Sequence, residues 1–423
     1  MWLLDKMLRP LIKQGELIVF DHDGKEYRYG APTPGVKNVT ARLTDRGAAF
    51  HIAKDPRVGA GEAFMDGRLV IDPPADIRDL VLLIRINAPA ERAGSLTPKG
   101  PFRKFVSNIA GRLDQINWKA RSRHNAEHTY NLTRRLFELF LDEDRQYTCA
   151  YYRDRDHSLE QAQLDKKAHI AAKMHLKPGM KVLDIGCGWG GFALYLHRHY
   201  DVDVLAVALA PDQIEFSKLR AAELGVQDRV KFELMDYRDV QGRFDRISSV
   251  GLIEHLGTPH YPGFYSTTHD LLADDGVMFS HCCGRMGEPG VTDKWTRKYI
   301  FPGGYIPALS ELVAEAERNH LIVSDVEALR YHYSYTLEEW YNRTVAAREE
   351  IIELYDERFY RMWLFYLAGA EAAFSHGGMV NWQLQYLRRR DAIPITREPM
   401  FEEEKRLLAA EKAPEWHIRQ AAE

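Results

Sequence analysis

The chain has little cysteine. Of its 423 residues only Cys149, Cys187, Cys282 and Cys283 carry a thiol, two of them adjacent and none at a metal-ligand spacing. That pattern excludes a disulfide framework and a zinc site, so no metal is expected, and it predicts a reducing, cytoplasmic compartment. An uncharged apolar run of membrane-spanning length is also missing. Asp5 and Lys6 interrupt the apolar start Met1-Trp2-Leu3-Leu4, and no small-residue cleavage site follows it; neither export nor a transmembrane helix is expected. Net charge is scarce as well. A formal balance of −4 is small for this length, which excludes general binding to a nucleic-acid backbone, because that normally needs a basic surface. Internal repeats and low-complexity stretches are absent too. What remains is a globular protein long enough for two or three units.

Residues 1–90 read as a small α+β domain. Short strand patterns, Leu17-Ile18-Val19-Phe20 and Lys25-Glu26-Tyr27-Arg28-Tyr29, flank the turn Asp23-Gly24, and a helical stretch runs from Ile77 to Ile86. Residues 91–145 read as a partly helical linker. It opens with Gly94, Pro98, Gly100 and Pro101. It then sets Lys99, Arg103, Lys104, Arg112, Lys119, Arg121 and Arg123 against a single acid, Asp114, among Phe102, Phe105, Val106, Ile109, Leu113, Ile116 and Trp118. Such a run suits the anionic surface of a bilayer, and equally suits a solvated helix packed by one face on its own protein. From Ser158 helix and strand patterns alternate: a helix to Met174, strands at Lys181–Ile185, Val202–Leu209, Val230–Leu234, Phe244–Val250 and Gly276–Ser280, and helices between them. This predicts an α/β domain with a parallel, doubly wound sheet, spanning 146–395 with additional C-terminal helices. Those helices, from about Thr336 to Arg389, are rich in aromatic residues, which suit a packed core or the lining of an acyl-chain tunnel. The charged tail, 396–423, is expected to be loosely ordered.

One stretch carries more chemistry than the rest. The strand Lys181-Val182-Leu183-Asp184-Ile185 runs into Gly186-Cys187-Gly188-Trp189-Gly190-Gly191 and then into a helical pattern. Glycines there permit a tight turn and let the backbone approach a ligand. Gly186, Gly188 and Gly191 fit G-x-G-x-x-G, but a dinucleotide site also wants an acid at the end of the next strand, and Ala208-Leu209-Ala210-Pro211 has none. The acid is Asp184, ahead of the glycines. In this the stretch resembles the S-adenosylmethionine (SAM) methyltransferases, which implies a Rossmann-like class I fold and a SAM site.

Ligands of open parallel sheets bind beyond the carboxyl ends of the strands. Glu254 and His255 follow the strand ending at Val250, and His281 follows the one ending at Ser280, so these groups are expected at the crevice of the glycine turn. Asp236 and Tyr237 follow the strand Val230–Leu234. They are candidates to read an adenine or a ribose, or simply a cap and a turn.

Several separated motifs, in order, then resemble one family. They are Gln146-Tyr147-Thr148-Cys149-Ala150-Tyr151-Tyr152, the glycine turn, Met235-Asp236-Tyr237-Arg238-Asp239, the run from Asp245 to His255, and Lys298-Tyr299-Ile300-Phe301-Pro302-Gly303-Gly304. Together they are similar to the cyclopropane-fatty-acyl-phospholipid synthases and the related mycolic acid cyclopropane synthases. Gly61-Glu62-Ala63-Phe64-Met65-Asp66-Gly67-Arg68-Leu69 is similar to the small N-terminal, lipid-associated domain of the phospholipid-acting members. The resemblance implies transfer of a methyl group from SAM to a cis double bond of an unsaturated acyl chain, followed by proton loss and ring closure, with bicarbonate as the base. It maps the bicarbonate-holding positions onto Cys149, Glu254, His281, Tyr333 and the backbone at Cys283, and the cofactor-binding positions onto Asp184, Gly186, Gly188, Gly190, Gln213, Asp236 and Tyr237. Cys149 is assigned to the anion site because alkene methylation needs no acyl-enzyme. The resemblance also implies a homodimer; phospholipid is the expected partner, with peripheral association at the inner face of the membrane, and no nucleic acid is expected.

Departures from the family pattern are Ala208 and Ala210 in place of Thr and Ser, Ile253 for Phe, and Cys282-Cys283 for Thr-Ile. These changes lie near the cofactor ribose and around Glu254 and His281. The alternative outcome is a fatty-acyl C-methyltransferase, which methylates without ring closure. A lipid carrier would not need Glu254 and His281, and an NAD-dependent dehydrogenase would need the missing acid.

Overall fold

The computed structural model describes residues 1–88 and 132–411, so the basic run 98–123 lies outside the described residues. Two compact units emerge, each assembled from separate segments. Among the described residues one comprises 1–88, 290–304 and 333–379, and the other 132–289, 305–332 and 380–411. This interleaves stretches that the sequence boundaries 1–90, 91–145, 146–395 and 396–423 keep contiguous.

In the first unit Gly15–Phe20 (β1) buries every second residue, with Leu17 and Val19 inward. It pairs antiparallel with Glu26–Ala31 (β2) and parallel with Val39–Leu43 (β3), which carries Leu69–Ile71 (β4) antiparallel on its far side. The helix Ile77–Asn87 starts at a reciprocal cap in which the Asp76 and Asp79 carboxylates each accept the other's backbone N–H. A long aromatic helix, Glu357–Ser375, packs on it. Arg78 explains the attachment: its guanidinium donates to both Glu371 oxygens at 2.6 and 2.7 Å and to Glu338 at 2.8 Å. A bidentate, half-buried fork of this kind fixes one helix against another.

The second unit is a seven-stranded sheet. Its strands are Lys181–Ile185 (β5), Asp203–Ala208 (β6), Val230–Leu234 (β7), Phe244–Val250 (β8), Leu272–Arg285 (β9), Ile322–Leu329 (β10) and Met379–Leu387 (β11), in the order β10-β11-β9-β8-β5-β6-β7. β5 to β9 are joined by parallel pairings, and β10 runs antiparallel to β11. The backbone winds outward from β5 through β6 to β7, then returns to place β8 on the other side of β5. That makes the end of β5 the topological switch point, where a crevice opens. Leu183, Ile185, Val207 and Ile247 enter one core, and Val182, Val204, Ala206 and Phe232 enter another.

Two expectations are corrected. The helical run to Arg389 stops at Ser375, and Met379–Leu387 is a buried strand. Gly377-Gly378 ends the helix, and Val380, Trp382, Leu384 and Tyr386 then alternate into the core with Asn381, Gln383 and Gln385, a period of two rather than 3.6. The tail is ordered as far as it is described: Glu398–Glu411 is a helix that buries Leu407 and Leu408, with the Glu411 carboxylate accepting from His199 Nε2 at 2.7 Å.

Candidate active site

At the end of β5 the backbone passes through Gly186, Gly188 and Gly190 with φ of +84°, +54° and +81°. A Cβ built on Gly188 meets nothing within 4 Å, so this turn faces open space. Gly191 serves a different purpose: a Cβ there would overlap the Asp144 carboxylate. Asp144 accepts from Lys167 Nζ at 2.8 Å, Arg220 Nη2 at 2.7 Å and Gln146 Nε2 at 3.1 Å, while Arg220 Nη1 donates to the Trp189 carbonyl at 3.2 Å. Burial pushes this carboxyl up, but the two cations outweigh it and hold it well below the usual range. One acidic side chain thus braces the cofactor-type turn against two helices.

Asp184 lies buried in β5 and accepts from Ser248 Oγ at 2.7 Å, with burial raising its carboxyl to about 6. Gln213 is buried in the helix Pro211–Glu223. Asp236 caps the turn Tyr237–Asp239 and holds Arg238 at 2.8 Å, and Tyr237 packs edge-on against Phe264 in the core. Both therefore have structural employment at the β7 edge.

The second group of residues meets at the ends of β8 and β9. Glu254 lies in the first turn of the short helix Ile253–Leu256. Its Oε1 accepts the Cys283 N–H at 3.2 Å, and its Oε2 is enclosed with no hydrogen-bond partner among the described residues. Burial raises its carboxyl to about 7. His281 is 1% exposed, with Gln383 Nε2 3.1 Å from Nδ1 and Asn381 Nδ2 3.3 Å from Nε2. Burial, with the charges of Lys166, Lys173 and His169, lowers its pKa to about 3, so the ring is neutral. Asn381 also lies 3.7 Å from Cys283 Sγ, which joins Glu254, Cys283, Asn381 and His281 in one series of contacts. Burial keeps the Cys283 thiol protonated. His255, next to Glu254, is also held neutral by burial, at about 4.

Cys149 comes to the same edge on the segment 146–152. A Cβ on Gly251, just past β8, would stand 2.7 Å from Thr148 Cγ2, so this segment rests on the strand end. Gln163 Nε2 donates to the Gln146 and Thr148 carbonyls at 3.1 and 3.0 Å, and buried Lys166 donates to Gln146 Oε1 at 2.7 Å and Thr148 Oγ1 at 2.8 Å. Burial pulls that lysine down to about 8. Cys149 itself is buried and donates to the Ala150 carbonyl at 3.2 Å. Tyr333 belongs to the first unit, where it packs edge-on against Phe374 and Trp340.

Residues 117–384 match the family model described as mycolic acid cyclopropane synthetase. The protein belongs to this family. Within it, the cyclopropane-fatty-acyl-phospholipid synthase of Escherichia coli (strain K12) is 36% identical over 338 residues, covering 80% of this chain and 85% of that protein. A probable fatty acid methyltransferase of Pseudomonas putida is 34% identical over 284 residues, covering 64% and 72%. The solved mycolic acid cyclopropane synthase CmaA1, complexed with SAH and CTAB, superposes with a TM-score of 0.60 at 31% identity and covers 62% of this chain and 97% of that one. The fold is the Rossmann-like class I methyltransferase fold, and the protein is a SAM-dependent methyltransferase of the cyclopropane-synthase type.

The residues present fit that cofactor. Gly188 opens onto space that a side chain would fill, and it does so at the switch point of the sheet. Gly186, Gly188 and Gly190 would hold SAM, with Asp184 just ahead of the turn and Gln213 on the helix after the next strand. The members of this site that the sequence did not reveal are Asp144, Lys166, Asn381 and Gln383. All four are polar residues on segments whose burial is set by tertiary packing. The alternation in Met379–Leu387 was the one available signal.

Proposed function

We propose that this enzyme alkylates the cis double bond of unsaturated phospholipid acyl chains at a membrane surface and closes a cyclopropane ring, with bicarbonate held at the edge formed by Glu254, His281, Cys283 and Cys149. When bound, SAM supplies an electrophilic methyl group and bicarbonate an anionic base. The observation that carries the reading is the enclosed, unpartnered Oε2 of Glu254, on a side chain that meets the Cys283 N–H and, through Cys283 and Asn381, neutral His281. A carboxyl that titrates near about 7 accepts from an anion's hydroxyl when ionised and donates to its oxygen when protonated. Neutral His281 offers an N–H without a full charge. By holding an anion there, these residues set negative charge against the positive charge that develops on the acyl chain, and keep a proton acceptor at the same sheltered edge. Among the described residues no helix is long and apolar enough to cross a membrane. The basic, aromatic run Lys99 to Arg123 supplies the attraction for an anionic bilayer.

The test is the product. Purified enzyme, SAM and bicarbonate are incubated with vesicles of a defined cis-monounsaturated phospholipid, and the lipid is read by proton NMR. Ring protons far upfield are expected. A methyl-branched or methylated product without those signals would establish the C-methyltransferase outcome instead. No alkylated lipid at all would refute the substrate class.

A further inference from the structure

A neutral histidine can carry its proton on either ring nitrogen, and which one it is decides whether each edge of the ring donates or accepts. For His281 the surrounding contacts remove the ambiguity. Gln383 reaches Nδ1 with its amide nitrogen at 3.1 Å. Amide nitrogen and oxygen are normally assigned by their partners, and here the partner is a lysine: Lys173 Nζ donates to Gln383 Oε1 at 2.7 Å. Lys173 is itself held by Glu327, through a short ion pair, and its backbone carbonyl accepts from Gln385 Nε2 at 2.6 Å. An ammonium has donors only. Turning the Gln383 amide over would set its NH2 against that ammonium, so the oxygen faces Lys173 and the NH2 faces His281.

We infer that Lys173 and Gln383 fix the tautomer of His281, leaving Nδ1 bare and placing the single ring proton on Nε2. The Nε2 edge is the one shared with Asn381, Cys283 and Glu254. With Nε2–H a donor, Asn381 presents its oxygen there. In this orientation Asn381 Oδ1 accepts from Nε2–H, and the Asn381 NH2 takes the enclosed place that has no partner among the described residues. Every contact from Lys173 to Asn381 then has one donor and one acceptor. Lys173 and Gln383 are positioning residues: they make His281 an N–H donor to Asn381, which sets the Asn381 amide beside the edge proposed to hold the anion. The value of that donor to turnover rests on the proposed function, whereas the tautomer does not.

The tautomer is read directly. In protein labelled with ¹⁵N-histidine, long-range proton–nitrogen correlation spectra distinguish a protonated from a bare ring nitrogen, and the spectrum of His281→Gln identifies the His281 signals by their loss. A protonated Nε2 and bare Nδ1 are expected throughout about pH 6–8, where an ordinary histidine titrates. Gln383→Glu turns the donor at Nδ1 into an acceptor and should move the proton to Nδ1. That exchange should cut kcat by about 10²-fold or more, as wrong-tautomer changes do elsewhere, with SAM affinity by calorimetry unchanged. A protonated Nδ1 in the unaltered protein overturns the inference even if cyclopropane lipid is formed. So does an unchanged tautomer in Gln383→Glu. A protonated Nε2 in a protein that makes no alkylated lipid supports the inference and removes the proposed function instead.

Discussion

Removing the Asp144 carboxylate should destabilise the second unit strongly, because two cations converge on it. Lys167 is only 8% exposed and Arg220 26%, and both donate to Asp144 at 2.7–2.8 Å. In Asp144→Asn the lysine loses its counter-charge but stays buried. Deleting one partner of a buried pair costs about 3–5 kcal/mol, whereas replacing both by apolar groups is often near neutral. Taking about 3 kcal/mol, because Gln146 and the Tyr195 ring remain close to this cluster, and roughly 2–4 °C per kcal/mol for a unit of a few hundred residues, the Tm should fall by roughly 6–12 °C. Lys167→Met should cost less, since Arg220 still satisfies the acid. The double variant should recover part of the loss, with a coupling of about 2 kcal/mol in urea unfolding. The pH dependence has a fixed sign. The folded pKa lies below the unfolded value, so this stabilisation is present above the unfolded carboxylate range and disappears as the pH falls through the folded pKa. Asp144→Asn should flatten the acid side of the stability profile. Because Arg220 also holds the Trp189 carbonyl, SAM affinity should weaken with it. A coupling below about 0.5 kcal/mol, the range of independent sites, would show that the carboxylate does not act as a brace.

Much of the fold was legible because its signals are local. A five-residue strand ending in glycines, alternating with helical periods, admits few other architectures, and β5 to β9 fall close to where the pattern puts them. The strand-end rule likewise predicts Glu254 and His281 at one edge. What the sequence hid is polar burial. On the helix Leu159–Lys173, the polar residues Asp165, Lys166, Lys167, His169 and Lys173 are all buried, and nothing in the helical pattern sets them apart from a solvated face. His169 and Lys173 meet β10, β11 and the tail helix, segments far away in sequence that supply Glu327, Gln383 and Glu404 as partners. No periodicity announces such pairing, because it depends on which distant segments the fold brings together. Asn381 and Gln383 were hidden for a related reason: reading Met379–Leu387 as helix scattered onto different faces residues that a strand aligns.

The remaining expectations are simpler to state. Gly188→Val should abolish SAM binding by calorimetry, since its side chain enters space now open, and should lower the unfolding midpoint, since a φ of +54° strains a β-branched residue; unchanged affinity in the folded variant would move the cofactor elsewhere. Vesicle sedimentation should fall with added salt, which screens surface attraction over a Debye length of about 10 Å at 0.1 M, and should fall further when Lys99, Arg103, Lys104 and Arg112 are changed to Gln; equal binding to neutral and anionic vesicles would assign the basic run to solvation alone. Glu254→Gln should reduce turnover by about 10²-fold or more while SAM still binds, and it should also change stability in a direction that the burial of this carboxyl dictates. The acid titrates near 4.5 when free and at about 7 in the fold, so its contribution is fully present below the free value and is lost as the pH rises through about 7. Relative to the unaltered enzyme, Glu254→Gln should therefore gain on the order of 3 kcal/mol between about pH 4 and 8, since each pH unit separating the two values is worth about 1.4 kcal/mol. Parallel urea midpoints for the two proteins across that interval would mean that Glu254 is solvated in the fold, and the enclosed acceptor on which the anion site rests would be lost with it.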